Sequence, residues 1–200
     1  GLNLTIGTTF AYNKWDIPLH KKVNFYNQFN FSGDVNYGGS VYYNTYRGKW
    51  NIFGEIAQSR SKGLGFIQGI IANILSNVET AVHVRYFSPK YFANYGKSFA
   101  EYSGNSNERG LYWGLKVVPT PQLEIRGYFD TFRSDWLRYN AAAPTTGNEL
   151  FVNLRYQPTS SLHLACIFKR ESKYRNDSKN LLPVQTVLEG IKNNYQMIFE

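Results

Sequence analysis

Leu123-Glu124-Ile125-Arg126-Gly127-Tyr128-Phe129-Asp130 alternates apolar and polar residues along its whole length. In an extended chain successive side chains point to opposite faces. Leu123, Ile125, Gly127 and Phe129 therefore share one face, and Glu124, Arg126, Tyr128 and Asp130 share the other. Such a strand needs apolar surroundings on one side and water or polar partners on the other. The same alternation recurs along the 200 residues and predicts ten strands. They cover about 2–12, 35–46, 51–58, 66–74, 78–87, 111–118, 123–131, 148–156, 162–169 and 192–199. Gly38-Gly39 interrupts the second and predicts a bulge or a tightly curved spot.

The connections are unequal. Short turns are expected at Tyr46–Trp50, Leu75–Asn77, Pro119–Gln122 and Pro158–Ser161. Leu115-Lys116-Val117-Val118-Pro119 recurs as Leu154-Arg155-Tyr156-Gln157-Pro158, a quasi-repeat of hairpins. Between hairpins lie longer polar segments at 13–34, 59–65, 88–110, 132–147 and 170–191. Short turns at one end and long loops at the other is the asymmetry of an outer-membrane barrel, with the loops outside the cell. The expected fold is all-β: an antiparallel transmembrane β-barrel of about ten strands, whole or part of a larger barrel, forming one domain over 1–200.

Composition agrees with that class. Aromatics make up 17% of the chain, with 16 Tyr, 14 Phe and 4 Trp. Such amphipathic rings gather in girdles at membrane–water boundaries. Tyr12, Tyr46, Trp50, Tyr86, Phe87, Phe132, Trp136 and Tyr156 fall near strand ends and are expected there. No apolar run approaches the roughly 18 residues of a membrane helix. The net charge is +8, but the basic residues are scattered rather than gathered on one element, so no nucleic-acid partner is expected. The expected partners are outer-membrane lipid and lipopolysaccharide, with other envelope proteins. No signal peptide is visible, so Gly1 reads as a mature terminus or as a cut within a longer chain.

The alternation assigns faces. Ile52, Val84, Trp113, Ile125, Val152 and Phe168 belong to the lipid side. Glu55, His83, Arg85, Lys116, Glu124, Arg126, Asp130, Asn153, Arg155 and His163 belong to the polar side, expected to line a lumen. Charges of both signs on one face can neutralise each other across strands. In a pore, Arg85, Lys116, Arg126 and Arg155 would favour anions, against Glu55, Glu79, Glu124 and Asp130. Two loop stretches mix cations with rings: Lys90, Tyr91, Phe92 and Tyr95 in one, Trp136, Arg138 and Tyr139 in the other. They serve either as recognition elements or as packing between loops.

Chemistry of other classes is absent. Gly63-Leu64-Gly65 lacks the third glycine and following helix of a nucleotide loop. His20, His83 and His163 are isolated and Cys166 is alone, so no metal or other cofactor is expected. The expected function is non-enzymatic: a pore, a transport element or part of an envelope complex. Two rivals remain. One is a soluble aromatic-rich β-sandwich that binds carbohydrate. The other is a barrel hydrolase using His83 or His163 with Glu124 or Asp130.

Several longer runs carry a family resemblance. They are Arg85–Tyr91 with Tyr95–Glu101, Asn107–Lys116, Tyr128–Arg133, Trp136–Tyr139 and Ala143-Pro144. Together they resemble the barrel portion of large Bacteroidota outer-membrane proteins that carry a helix-hairpin-helix region in their N-terminal part. The resemblance implies location and fold. It implies no catalytic residue, and this chain has no helix-hairpin-helix segment to suggest DNA binding.

Overall fold

Alternation dictates strands, and pairing them in sequence order makes a sheet. The computed structural model describes residues 3–94, 96, 98–102, 104–177 and 187–199. They form one ten-stranded sheet: β1 (Asn3–Leu19), β2 (Gly33–Arg47), β3 (Trp50–Ser59), β4 (Leu64–Leu75), β5 (Val78–Phe87), β6 (Glu108–Thr120), β7 (Leu123–Arg133), β8 (Thr146–Thr159), β9 (Leu162–Asn176) and β10 (Val187–Phe199). Each strand is antiparallel to the next, in the order β1 to β10. Among the described residues a single 3₁₀ turn, Phe25–Asn27, is the only helical element. Among the described residues β1 and β10 each leave one edge without a neighbouring strand, so these pairings do not close the sheet.

The strands run further than the apolar pattern does. β1 continues through Asn13, Lys14 and Asp16, and β9 through Arg170, Glu171 and Lys173. In β1 the alternation changes phase, with Lys14 and Asp16 following Phe10 and Tyr12 on one face and Trp15 and Ile17 on the other, and the ladder to β2 is irregular between Lys14 and Leu19. In β9 both faces carry polar residues, so the alternation fades while the backbone ladder continues. Lys173, for instance, still pairs with Gly147 and Gly190.

Two-residue turns close one end: Gly48-Lys49, Ser76-Asn77, Pro121-Gln122 and Ser160-Ser161. Gly48 has φ +59°, the left-handed conformation that tight hairpins demand and glycine adopts without steric cost. The hairpin quasi-repeat maps onto a shared irregularity. The ladder slips between Val117 and Thr120 and again between Tyr156 and Thr159, where Pro119 and Pro158 have no N–H to donate. No slip occurs at Gly38-Gly39, where the register with both neighbours is continuous and no bulge forms. A Cβ on Gly38 would lie 2.9 Å from the Gln58 carbonyl oxygen, so that glycine allows a close backbone approach.

The register carries the alternation across the whole sheet. Val82 faces Trp113, Trp113 faces Phe129, and Phe129 faces Leu150. Further out, Leu154 faces Cys166, which faces Met197. On the opposite face Glu79 meets Lys116, Lys116 meets Arg126, and Arg126 meets Asn153. The one amide in the apolar belt of β4, Gln68, has its polar atoms engaged. It accepts from the Tyr43 hydroxyl at 2.5 Å and donates to the Phe53 carbonyl at 2.9 Å.

The burial is inverted relative to a water-soluble core. Arg85, Glu108, Asp130, Glu149, Asn153 and Ser172 are buried, while Ile6, Ile56, Leu111, Trp113, Phe129 and Met197 are exposed. Ordinary folds do the reverse. Of the buried apolar residues, Ala72 sits on the apolar face opposite Trp50, near the two-residue turns, whereas two large rings sit on the polar face under the loops. Phe87 and Phe132, expected in an outward girdle, are there at 2% exposure each. Their neighbours alternate outward, so strand-end position alone does not place a ring at a boundary. Trp50, Tyr12 and Tyr156 do stand exposed on the apolar side.

Candidate functional site

The polar face is a lattice of ion pairs built by register. Arg85 on β5 stands opposite Gly110 on β6, and its guanidinium lies flat over that glycine; a Cβ there would come within 2.5 Å of Cζ. The missing side chain opens the way to β7, the next strand. Arg85 Nη1 and Nη2 donate to the two carboxylate oxygens of Asp130 at 2.8 and 2.9 Å, and Nε donates to Glu108 at 2.7 Å. A bidentate guanidinium–carboxylate pair is among the strongest charged contacts in proteins. Glu108 does a second task by accepting the backbone N–H groups of Glu101 and Tyr102 at 3.0 and 3.1 Å. One buried cluster thereby joins three strands to the connection at 88–107.

Phe99, Glu101 and Tyr102 of that connection lie on the polar face. The Phe99 ring packs edge-on against His83 and Tyr112, each at 5.0 Å, and stands 5.6 Å from the Arg85 guanidinium. Tyr102 packs edge-on against Phe132 at 5.6 Å. Glu101 pairs with Lys173, which also reaches Glu171 at 3.0 Å. Glu149 is held by Lys169 at 2.8 Å and by the Tyr128 hydroxyl. The carboxylates of Glu101, Glu149 and Glu171 converge within 4.8 Å, each with a lysine partner. Burial pushes the Glu101 carboxyl up, while Lys173 pulls the other way.

The other expected polar-face residues have distinct settings. Glu124 pairs with Arg126 at 2.6 Å and approaches Lys116 at 3.8 Å. Glu124, Arg126, Arg155 and His163 line a cavity of about 490 Å³ near the two-residue turns. Asn153 is buried, and its Oδ1 meets no partner. Glu55 is exposed beside the β4 wall. Arg85, expected to favour anions, is enclosed by two carboxylates and offers no free charge.

Neither histidine stands in an acid–base pair among the described residues. His83 is flanked by the Phe53 and Phe99 rings, and its Nδ1 meets no partner. Asp130 is occupied by Arg85. His163 Nε2 lies 3.4 Å from Gln157 Nε2.

The loop residues expected to recognise something largely hold one another. Phe92 stacks on Phe31 at 4.9 Å, and Tyr91 on Phe87 at 5.9 Å. Lys90 stands 5.7 Å over the Phe29 ring. Trp136 packs edge-on against Phe29, and its indole N–H donates to the Phe25 carbonyl at 2.9 Å. Arg138 lies 3.4 Å over the Tyr102 ring and donates to the Asn107 carbonyl. Tyr139 touches Tyr26 edge-on and remains 74% exposed. Tyr95 lies outside the described residues.

Glu108, Glu149, Glu101, Lys173 and Phe99 complete the lattice yet were not among the expected residues. Glu108 and Glu149 were legible in principle, since each extends its strand's polar alternation: Glu108-Gly110-Tyr112 and Glu149-Phe151-Asn153. Lys173 continues the polar alternation of β9 with Glu171, but nothing local marks Glu101 or Phe99, or the pairing of Lys173 with Glu101. No family model, curated protein or solved structure matches the chain.

Proposed function

We propose that this sheet is the wall of a bacterial outer-membrane β-barrel, with the apolar face toward lipid and the ion-paired face toward a lumen. On this reading the protein is a non-enzymatic pore, transport element or part of an envelope complex. The inverted burial carries the proposal. An apolar surface continuous over ten strands far exceeds the few hundred Å² that soluble monomers expose, and lipid is the solvent it suits. The described residues form one sheet with no second sheet over its apolar face, which disfavours the β-sandwich rival.

Two further features support it. Every two-residue turn lies at one end and the longer connections lie at the other. Trp136, beyond β7, bonds to Phe25, just beyond β1. On a flat sheet the intervening strands at ~4.8 Å spacing would separate these connections by more than ~20 Å, so their contact fits a sheet that rolls toward its polar side. In a membrane the open edges of β1 and β10 must be paired, with each other or with further strands. The resemblance to Bacteroidota outer-membrane barrels belongs to the same proposal, as do lipid and lipopolysaccharide as surroundings.

A variant keeping Trp113 as its sole tryptophan, reconstituted in vesicles with acyl-chain-brominated lipid, tests the reading. Strong quenching of Trp113 is expected, with weak quenching when Trp136 is the one kept. Equal, weak quenching of both would reject it.

A further inference from the structure

The polar face divides into two unlike halves. From β5 to β9 it is crowded with paired charges. Across Thr5–Ala11, Gly38–Asn44, Asn51–Ala57 and Gly65–Ile71, Glu55 is the one charged side chain on that face. Its companions are hydroxyls, amides and rings, with alanines, glycines and, on β4, Ile67 and Ile71.

Two of those rings lie flat on the sheet because glycines face them. Tyr42 is paired with Gly7 and Phe53 with Gly69. A Cβ on Gly7 would fall 2.3 Å from the Tyr42 ring, and one on Gly69 would fall 2.2 Å from the Phe53 ring. A ring seated on glycine packs one π-face on backbone and turns the other away from the sheet. Tyr42 and Phe53 line a cavity of about 640 Å³, with Phe99 and Tyr112 among its other walls. Three polar atoms at this cavity are enclosed without partners: Asn44 Oδ1, Asn51 Oδ1 and His83 Nδ1. His83 is itself nine-tenths buried. Buried polar atoms are normally hydrogen-bonded, so three orphans around one cavity call for partners brought by something else.

We infer that this cavity is a binding subsite for a neutral oligosaccharide, an inference that rests on the polar face being a lumen. A pyranose ring presents an apolar C–H face that stacks on the negative π-face of an aromatic ring. Its hydroxyls both donate and accept, which suits a wall of Asn, Tyr and His with a single carboxylate, Glu55. A charged ligand fits less well. An anion would meet Glu55, and a quaternary ammonium would find one counter-charge and leave the amide oxygens unmatched.

The test is calorimetry on the full chain in detergent, with linear neutral hexasaccharides of glucose (α-1,4 and β-1,4) and of N-acetylglucosamine. At least one is expected to bind with Kd of about 1 mM or tighter. Phe53→Ala and Gly69→Ala, the latter by displacing the ring, should each weaken binding ~tenfold, the scale of one aromatic stacking contact. Phe66→Ala, on the apolar face, should leave it unchanged. If Phe53→Ala fails to fold, Tyr42→Ser makes the same test at the more exposed ring. Absence of binding by all three sugars would overturn the inference. So would tighter binding of choline that is lost in Glu55→Gln, since the site would then be cationic. An unboiled and a boiled gel lane of each preparation separates the two proposals. A heat shift without sugar binding removes the subsite alone, and sugar binding without a heat shift removes the membrane reading alone.

Discussion

Arg85→Met is the substitution whose cost follows most directly from the geometry. Methionine keeps much of the stem's volume but deletes all three charged hydrogen bonds to Glu108 and Asp130. Glu108 is 1% and Asp130 6% exposed, so two carboxylates would remain facing each other without a counter-ion. Removing one partner of a buried ion pair costs about 3–5 kcal/mol, most of it the penalty of stranding charge. That corresponds to roughly two to four orders of magnitude in the folding equilibrium. The assay is guanidinium unfolding of protein refolded into lipid vesicles, followed by tryptophan fluorescence. A compensated variant, Arg85→Met with Glu108→Gln and Asp130→Leu, removes the stranded charges and should recover all but about 1–2 kcal/mol. A loss below about 1 kcal/mol for Arg85→Met, typical of an exposed pair, would refute the buried triad. Failure of the compensated variant to recover would refute the stranded-charge explanation.

Phe129→Arg places a charge on the apolar face and should cost about 2–4 kcal/mol near the bilayer midplane in vesicle unfolding. Leu115→Met, a volume-conserving change on that same face, should cost less than about 1.5 kcal/mol. Gly147→Ala would set a Cβ 2.4 Å from the Phe132 ring, with the Ser172 carbonyl oxygen at 2.9 Å behind it, so overpacking of about 1–3 kcal/mol is expected by the same measurement. If the polar face lines a pore, Arg155→Glu should move the reversal potential in planar bilayers toward cations, because Arg155 is exposed beside the cavity on that face. Arg85→Lys, which keeps the charge, should leave it in place.

The faces were legible in the sequence because the side-chain period is two and the register transmits it from strand to strand. Once Ile125 points one way, Val117 and Leu154 opposite it must follow. Strand ends were not legible where both faces turn polar, as from Arg170 to Asn176. The ion-pair lattice was half legible. Arg85 and Asp130 were placed on one face by alternation, but their meeting depends on Gly110 between them, which only the pairing of β5, β6 and β7 reveals. The folding of Phe99 and Glu101 onto the sheet left no local sign, because a loop's contacts obey no period. The loop rings of Trp136 and Phe92 read equally well as recognition or as packing, because the sequence does not show their contacts with Phe29 and Phe31.

The most direct test of the membrane-wall reading is the mobility of the native protein from outer-membrane fractions on a detergent gel, unboiled and boiled. A closed barrel keeps its backbone hydrogen bonds internal and resists detergent, so the unboiled band should migrate apart from the boiled one. A protein that leaves the membrane fraction without detergent, and runs as one band at both temperatures, would contradict the account.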